Sequence, residues 1–206
     1  MKIVYISTYL PKECGIATFT SDLLHAVALH NQDLIQHVIA VADRDYTYPN
    51  EVVFAIDQHQ QFSYIEAANY INNNGYDCVV LEHEYGIFGG NSGVYILSLI
   101  NALHIPLLVN FHTILEKPNV DEKAILIELV KRSSIVVVMS NYAITLLKSV
   151  YRVNTAKVRL IHHGVPEFRL SQEEAKAQKG LSGKKILLTF GFIGRNKGIE
   201  TVIESL

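Results

Sequence analysis

The chain is poor in cysteine, poor in charge and without a long apolar run, and each shortage excludes a class of protein. Its two cysteines, Cys14 and Cys78, stand far apart and beside predicted strands. They form no CxxC pair, cannot staple a small secreted scaffold, and fit reduced thiols in a cytoplasmic protein. Charged residues make up 18% of the chain and the formal net charge is -2, so no basic stripe is available for nucleic acid. No run of about 18 apolar residues occurs, against a membrane-spanning helix. The apolar start at residues 3–6 is too brief for an export signal, and Pro11, Lys12 and Glu13 follow at once. A soluble, cytoplasmic protein is expected, with peripheral contact to a membrane surface left open.

Several signatures are missing as well. No G-x-G-x-x-G follows the first predicted strand, against a dinucleotide site. No G-x-x-x-x-G-K-[ST] or G-x-S-x-G occurs either, against a P-loop and a serine hydrolase. Histidine, with nine residues, is the exception to this sparseness. Yet His83, His112, His162 and His163, with Glu82 and Glu84, contain no i, i+4 helical pair of the zinc-protease kind, so no metal is expected.

Apolar residues are what the sequence does have, 49% of the chain. They fall in short β-rich runs that alternate with helical patterns. Strands are predicted at 2–7, 34–41, 52–56, 78–82, 107–111, 135–139 and 158–161. Being apolar at successive positions, they suit burial on both faces. Helices are predicted at 17–30, 63–74, 93–104, 121–132 and 141–150, with Asp121 and Asn141 as candidate caps. This alternation predicts an α/β fold, a Rossmann-like doubly wound parallel sheet. Residues 1–166 are assigned to that domain, and the polar stretch 167–184, with a helical patch at 172–179, to a linker. A fresh strand at 185–190 and a helix starting near Lys197 open a second domain over 185–206. One strand and one helix cannot bury a core, so the expectation is a complete first domain followed by the beginning of another.

In an open parallel sheet, ligands bind beyond the carboxyl ends of the strands. Beyond the first strand Gly15 sits just ahead of a helix, where backbone N–H groups and the helix dipole favour a phosphate. The alternative is a glycine that only tightens a turn. Beyond the fourth comes Glu82-His83-Glu84-Tyr85-Gly86-Ile87-Phe88-Gly89-Gly90. Its carboxylates and aromatic rings suit a polar, hydroxylated ligand, and its glycines imply close approach or movement. Beyond the fifth comes His112, able to move a proton near neutrality. Ser140 and Asn141, after the sixth, are explained by a helix cap. In the last segment Arg195 and Lys197 stand at a helix start, a diphosphate grip that would neutralise charge on a leaving group.

These stations in this order resemble the retaining glycosyltransferases of the GT-B fold, family 4 (glycosyl transferases group 1). The matching pieces are Pro11-Lys12-Glu13-Cys14-Gly15-Ile16-Ala17-Thr18-Phe19 leading into Asp22-Leu23, Glu82-His83-Glu84-Tyr85-Gly86-Ile87-Phe88-Gly89 and Phe111-His112-Thr113. With them go Val137-Val138-Met139-Ser140, Ile161-His162-His163-Gly164-Val165-Pro166, and Phe190-Gly191-Phe192-Ile193 followed by Lys197-Gly198. The resemblance implies an N-terminal, acceptor-side domain and the start of a C-terminal, donor-binding domain. It implies that Gly15 approaches the donor diphosphate and that His112 is the catalytic histidine beside the transferred sugar. It places Glu84 and Tyr85 on the acceptor side, and Lys197, supported by Arg195, on the donor phosphates. Phe192 stands where the family has an arginine, and Cys14 where it often has a second glycine. A nucleotide-sugar donor and a glycan or lipid-linked acceptor follow, with no metal or other cofactor. This part alone is expected to show little or no turnover.

Two alternatives stay open. One is a non-catalytic module that holds an acceptor or a partner chain, although such a module has little use for Lys197-Gly198. The other is a different GT-B enzyme, such as a sugar-nucleotide epimerase or a glycan phosphorylase. A signalling receiver would need clustered acids and a phospho-acceptor aspartate, and neither is present.

Overall fold

A computed structural model describes residues 1–165, 169–189 and 198–206. The chain divides into two compact units, Met1–His163 and Gly164–Leu206. The first holds seven strands: β1 (Lys2–Ser7), β2 (Ile35–Ala42), β3 (Val52–Asp57), β4 (Cys78–His83), β5 (Leu107–Phe111), β6 (Ile135–Val138) and β7 (Val158–Leu160). Every neighbouring pair is parallel and the order is β3-β2-β1-β4-β5-β6-β7. Five helices connect them: α1 (Gly15–His30), α2 (Gln61–Asn73), α3 (Ile96–Ala102), α4 (Val120–Arg132) and α5 (Asn141–Ser149). The Rossmann-like doubly wound sheet is therefore present. Its order reverses between β1 and β4, which opens a crevice beyond the carboxyl ends of those strands.

Both faces of the sheet are covered. Val4, Ile6, Ile39, Val41, Val79, Leu81 and Val109 join Ile71 of α2, Leu99 of α3, Leu126 and Leu129 of α4 and Leu147 of α5 in the larger core. Ile3, Tyr5, Val38, Ala40 and Val80 pack in a smaller core with Leu24 of α1. Successive side chains on a strand point to opposite faces, so this two-sided covering requires apolar residues without alternation.

The helix starts are chemically specified, in part by residues other than those expected. Cys14 caps α1: its Sγ accepts from the Ala17 N–H at 3.3 Å and lies 3.1 Å from Thr8 Oγ1. Asp121 does not cap α4. Asn119 does, in a reciprocal capping box with Glu122, and Asp121 sits in the first turn, where a negative charge suits the helix dipole. Likewise Ser140, not Asn141, caps α5 and accepts from the Ala143 N–H at 3.1 Å. A cap needs extended backbone just outside the helix, which Ser140 has at φ -144°. The helix expected over 93–104 is a 3-10 turn, Asn91–Gly93, followed by α3, with Gly93 at φ 81° interrupting it.

The second unit contains α6 (Gln172–Gln178), started by a Ser171–Glu174 capping box, and α7 (Ile199–Glu204). The strand expected at 185–190 is not formed over 185–189. No other strand is present among the described residues of this unit to pair with it, and Leu188 is 77% exposed. No described helix is long and apolar enough to cross a membrane.

Candidate functional site

A carboxylate is built into the apolar wall of the crevice. Pairing of β4 with β5 sets Glu82 opposite Asn110. Glu82 is fully buried, and its Oε2 accepts from Asn110 Nδ2 at 2.9 Å and meets His112 Nε2 at 2.8 Å. The His112 N–H donates to the His83 carbonyl at 3.0 Å, which ties the exit of β5 to the end of β4. Burial, and secondly the Glu82 charge, push the neighbouring Tyr5 phenol up to about 12.

Phe19 joins this pair to other parts of the chain. It lies one helical turn beyond Gly15 on α1, and its ring meets the His112 ring edge-on, 4.7 Å between centroids. The same ring meets His163, just past β7, at 5.1 Å. The start of α1, the end of β5 and the exit from β7 thus converge on one side chain. Gly15 is exposed, and a Cβ there would meet nothing within 4 Å. The Gly15 and Ile16 N–H groups take no partner among the described residues, as expected of a helix's first turn.

A cleft of about 270 Å³ opens beside His112, between the exit of β5 and the first turn of α5, with Thr113, Ser140, Tyr142 and Leu146 in its walls. Glu84 reaches this region through Thr113, whose hydroxyl donates to Glu84 Oε2. The other Glu84 oxygen accepts from the Tyr85 N–H at 3.1 Å. Tyr85 itself is buried, with its hydroxyl donating to the Glu122 carbonyl of α4 at 3.2 Å. Burial, and then Tyr151, raise its phenol well above the ordinary range. It fastens the loop to α4. Arg195 and Lys197 lie outside the described residues.

Gly89, Gly90 and Gly93, after β4, serve the protein's own packing, whereas a Cβ on Gly86 would meet nothing within 4 Å. A Cβ on Gly89 would sit 1.8 Å from the Gln58 carbonyl oxygen, and the Gly89 N–H donates to the Tyr64 hydroxyl at 2.8 Å. Gly90 and Gly93 have φ of 76° and 81°. The close approach expected of this loop is that of one backbone segment to another. His83 is sealed beneath it, among the rings of Tyr85, Phe88 and Phe111. Neither of its nitrogens has a partner among the described residues. Burial, and secondly His112, lower its pKa from 6.5 to about 3, so it is neutral at any ordinary pH.

Of the residues singled out in the sequence, His112 and, through Phe19, the Gly15 end of α1 come together, with Glu84 linked in through Thr113. Glu82, expected with Glu84 to face a polar ligand, is instead buried against Asn110 and His112, and Phe19 joins the site without having been singled out. A carboxylate inside a run as apolar as 78–83 is the signal for Glu82, since a buried charge needs partners. For Phe19 it is the i+4 spacing from Gly15. Among the described residues no three His, Cys, Asp or Glu side chains gather into a metal-holding group.

No protein-family model and no curated protein sequence matches the chain. Among solved structures, it is similar to the lipopolysaccharide outer core galactosyltransferase WaaB in its apo form. That match has a TM-score of 0.56 and 10% identity and covers 80% of this chain and 46% of the other. The chain therefore spans about half the length of that galactosyltransferase and shares its fold over that part. A short chain dehydrogenase family protein from Francisella tularensis subsp. tularensis SCHU S4 aligns at TM-score 0.37 and 17% identity, over 73% of this chain and 75% of the other. That second likeness is too slight to carry an argument.

Proposed function

We propose that the chain is the N-terminal, acceptor-side part of a GT-B glycosyltransferase of the family 4 type. It would move a sugar, with retention, from a nucleotide-sugar donor to a hydroxylated glycan or lipid-linked acceptor. The observation that carries this reading is the Phe19 junction. It brings a helix start with open N–H groups to a histidine bonded to a buried carboxylate, at the switch point of the sheet. A helix start of this kind suits an anionic diphosphate. A histidine at the end of β5, two strands along the sheet from β1, suits the sugar that the diphosphate carries.

In this scheme the donor lies across the crevice with its diphosphate toward Gly15 and Ile16 and its sugar toward His112. The acceptor hydroxyl arrives along the cleft beside Thr113, on the Glu84 side. Lys197 and Arg195 would neutralise the departing diphosphate, and the groups that read the base would come from a second domain. No metal or other cofactor is needed for these steps, and the cytoplasm, where nucleotide sugars are made, is the proposed location.

Calorimetric titration tests the reading. UDP, GDP and ADP, each with its sugar conjugates, are added to this chain and to the longest natural protein that contains it. Binding by the longer form, weakened by Lys197→Ala, is the expected result, and the best ligand names the donor. If the longer form ignores every nucleotide, the transferase reading gives way to an acceptor- or partner-binding module.

A further inference from the structure

Glu82 is the penultimate residue of β4 (Cys78–His83), wholly removed from water. A carboxylate in that position weakens a fold unless its oxygens are bonded. Here one oxygen, Oε2, takes both bonds, from Asn110 and His112, while Oε1 has no donor among the described residues. A half-satisfied buried group is worse for stability than apolar packing. The use of Glu82 therefore lies in what it does to His112.

We infer that Glu82 is a positioning residue that sets the tautomer and orientation of His112. Oε2 already accepts from the Asn110 amide, and as acceptor at the 2.8 Å contact it places a proton on His112 Nε2. In the neutral ring Nδ1 is then bare. The Asn110 amide, 2.9 Å from the same oxygen, aims the carboxylate, and the perpendicular Phe19 ring limits rotation of the imidazole. Nδ1 takes no partner among the described residues and is not one of the sealed polar atoms. His112 lines the cleft, so Nδ1 is the nitrogen offered there.

A bare ring nitrogen accepts a hydrogen bond, and its natural partner is a hydroxyl, not a phosphate or carboxylate oxygen. His112 thus meets a hydroxyl in that cleft, at the reacting centre, whereas the diphosphate is left to the helix start at Gly15. This inference rests on the reading of His112 as the histidine beside the transferred sugar, and its test separates the two.

The test is ring-nitrogen NMR on the histidine-labelled chain, at a pH where the rings are neutral, with His112→Ala identifying the signals. Wild type should show protonated Nε2 and bare Nδ1 on His112. Glu82→Gln, whose amide oxygen can replace Oε2, should keep that state. Glu82→Leu, checked for folding by circular dichroism, should lose it to a mixture or to the other tautomer. Protonated Nδ1 in the wild type overturns the inference without recourse to any variant, as does an unchanged tautomer in folded Glu82→Leu.

Turnover of the longest natural protein is the second readout. Glu82→Leu should lower kcat on the order of a hundredfold with KM little changed, and Glu82→Gln should recover much of it. If the tautomer is as expected but turnover is unmoved, the placement of His112 at the sugar fails while its orientation stands. If the tautomer is otherwise, the positioning role fails whatever the turnover.

Discussion

Acid weakens this fold through His83. The imidazole titrates near 6.5 when the chain is unfolded and near about 3 when it is sealed among Tyr85, Phe88 and Phe111. Because the folded pKa of this base is depressed, the unfolded chain binds more protons once the pH drops below 6.5. Stability is therefore unaffected by His83 at pH 7 and above. It falls as the pH passes through 6.5 and stops falling near 3. Each pH step of one below 6.5 is worth about 1.4 kcal/mol, so at pH 5 the loss is about 2 kcal/mol. Urea unfolding followed by circular dichroism, at pH 7 and pH 5, measures it. His83→Phe keeps an aromatic ring in the same setting and removes the titration, while the remaining histidines titrate in both proteins. From pH 7 to pH 5 the variant should lose about 2 kcal/mol less stability than the wild type. A variant that loses as much as the wild type over that range would refute the reasoning, because burial of His83 would then not be resisting a proton.

Other substitutions probe the scaffold and the crevice separately. Gly89→Ala drives a methyl into the Gln58 carbonyl, 1.8 Å away, and should cost about 3 kcal/mol or more in a thermal or urea melt. Gly15→Ala meets nothing within 4 Å, so its melt should stay within about 0.5 kcal/mol of wild type. In calorimetry it should nonetheless weaken binding of a nucleoside diphosphate to the longest natural protein by hindering the approach of a phosphate. Leu126→Ala, in the larger core, should cost about 2–5 kcal/mol. Ser140→Ala removes the α5 cap and should cost about 1 kcal/mol.

The strands were legible because burial on both faces leaves little choice of residue. Residues 2–7 are apolar at nearly every position, and β1 occupies that span. The caps were less legible: Asn119, Asp121, Ser140 and Asn141 all accept hydrogen bonds, and only backbone geometry decides which one stands just outside its helix. The run at 185–190 has strand composition, but composition supplies no neighbour to pair with, and 185–189 form no strand. At the site, His112 was visible as a strand-end histidine. The role of Glu82 was not, because its worth depends on Asn110 and His112, some thirty residues away and brought beside it by the β4–β5 register. Gly86, Gly89 and Gly90 looked like a ligand loop, yet Gly89 is pressed against the Gln58 backbone, and a glycine pressed against a ligand has the same sequence.

The central claim concerns transfer of a sugar, and the most direct measurement is transfer itself. The longest natural protein containing this chain is incubated with UDP-, GDP- and ADP-sugars and a panel of glycan and lipid-linked acceptors. Release of nucleoside diphosphate and the anomeric form of the product are followed by NMR. One donor should support acceptor-dependent release with retained configuration, and His112→Ala, still folded, should slow it on the order of a hundredfold or more. Release with no donor, or full activity in His112→Ala, would contradict the account.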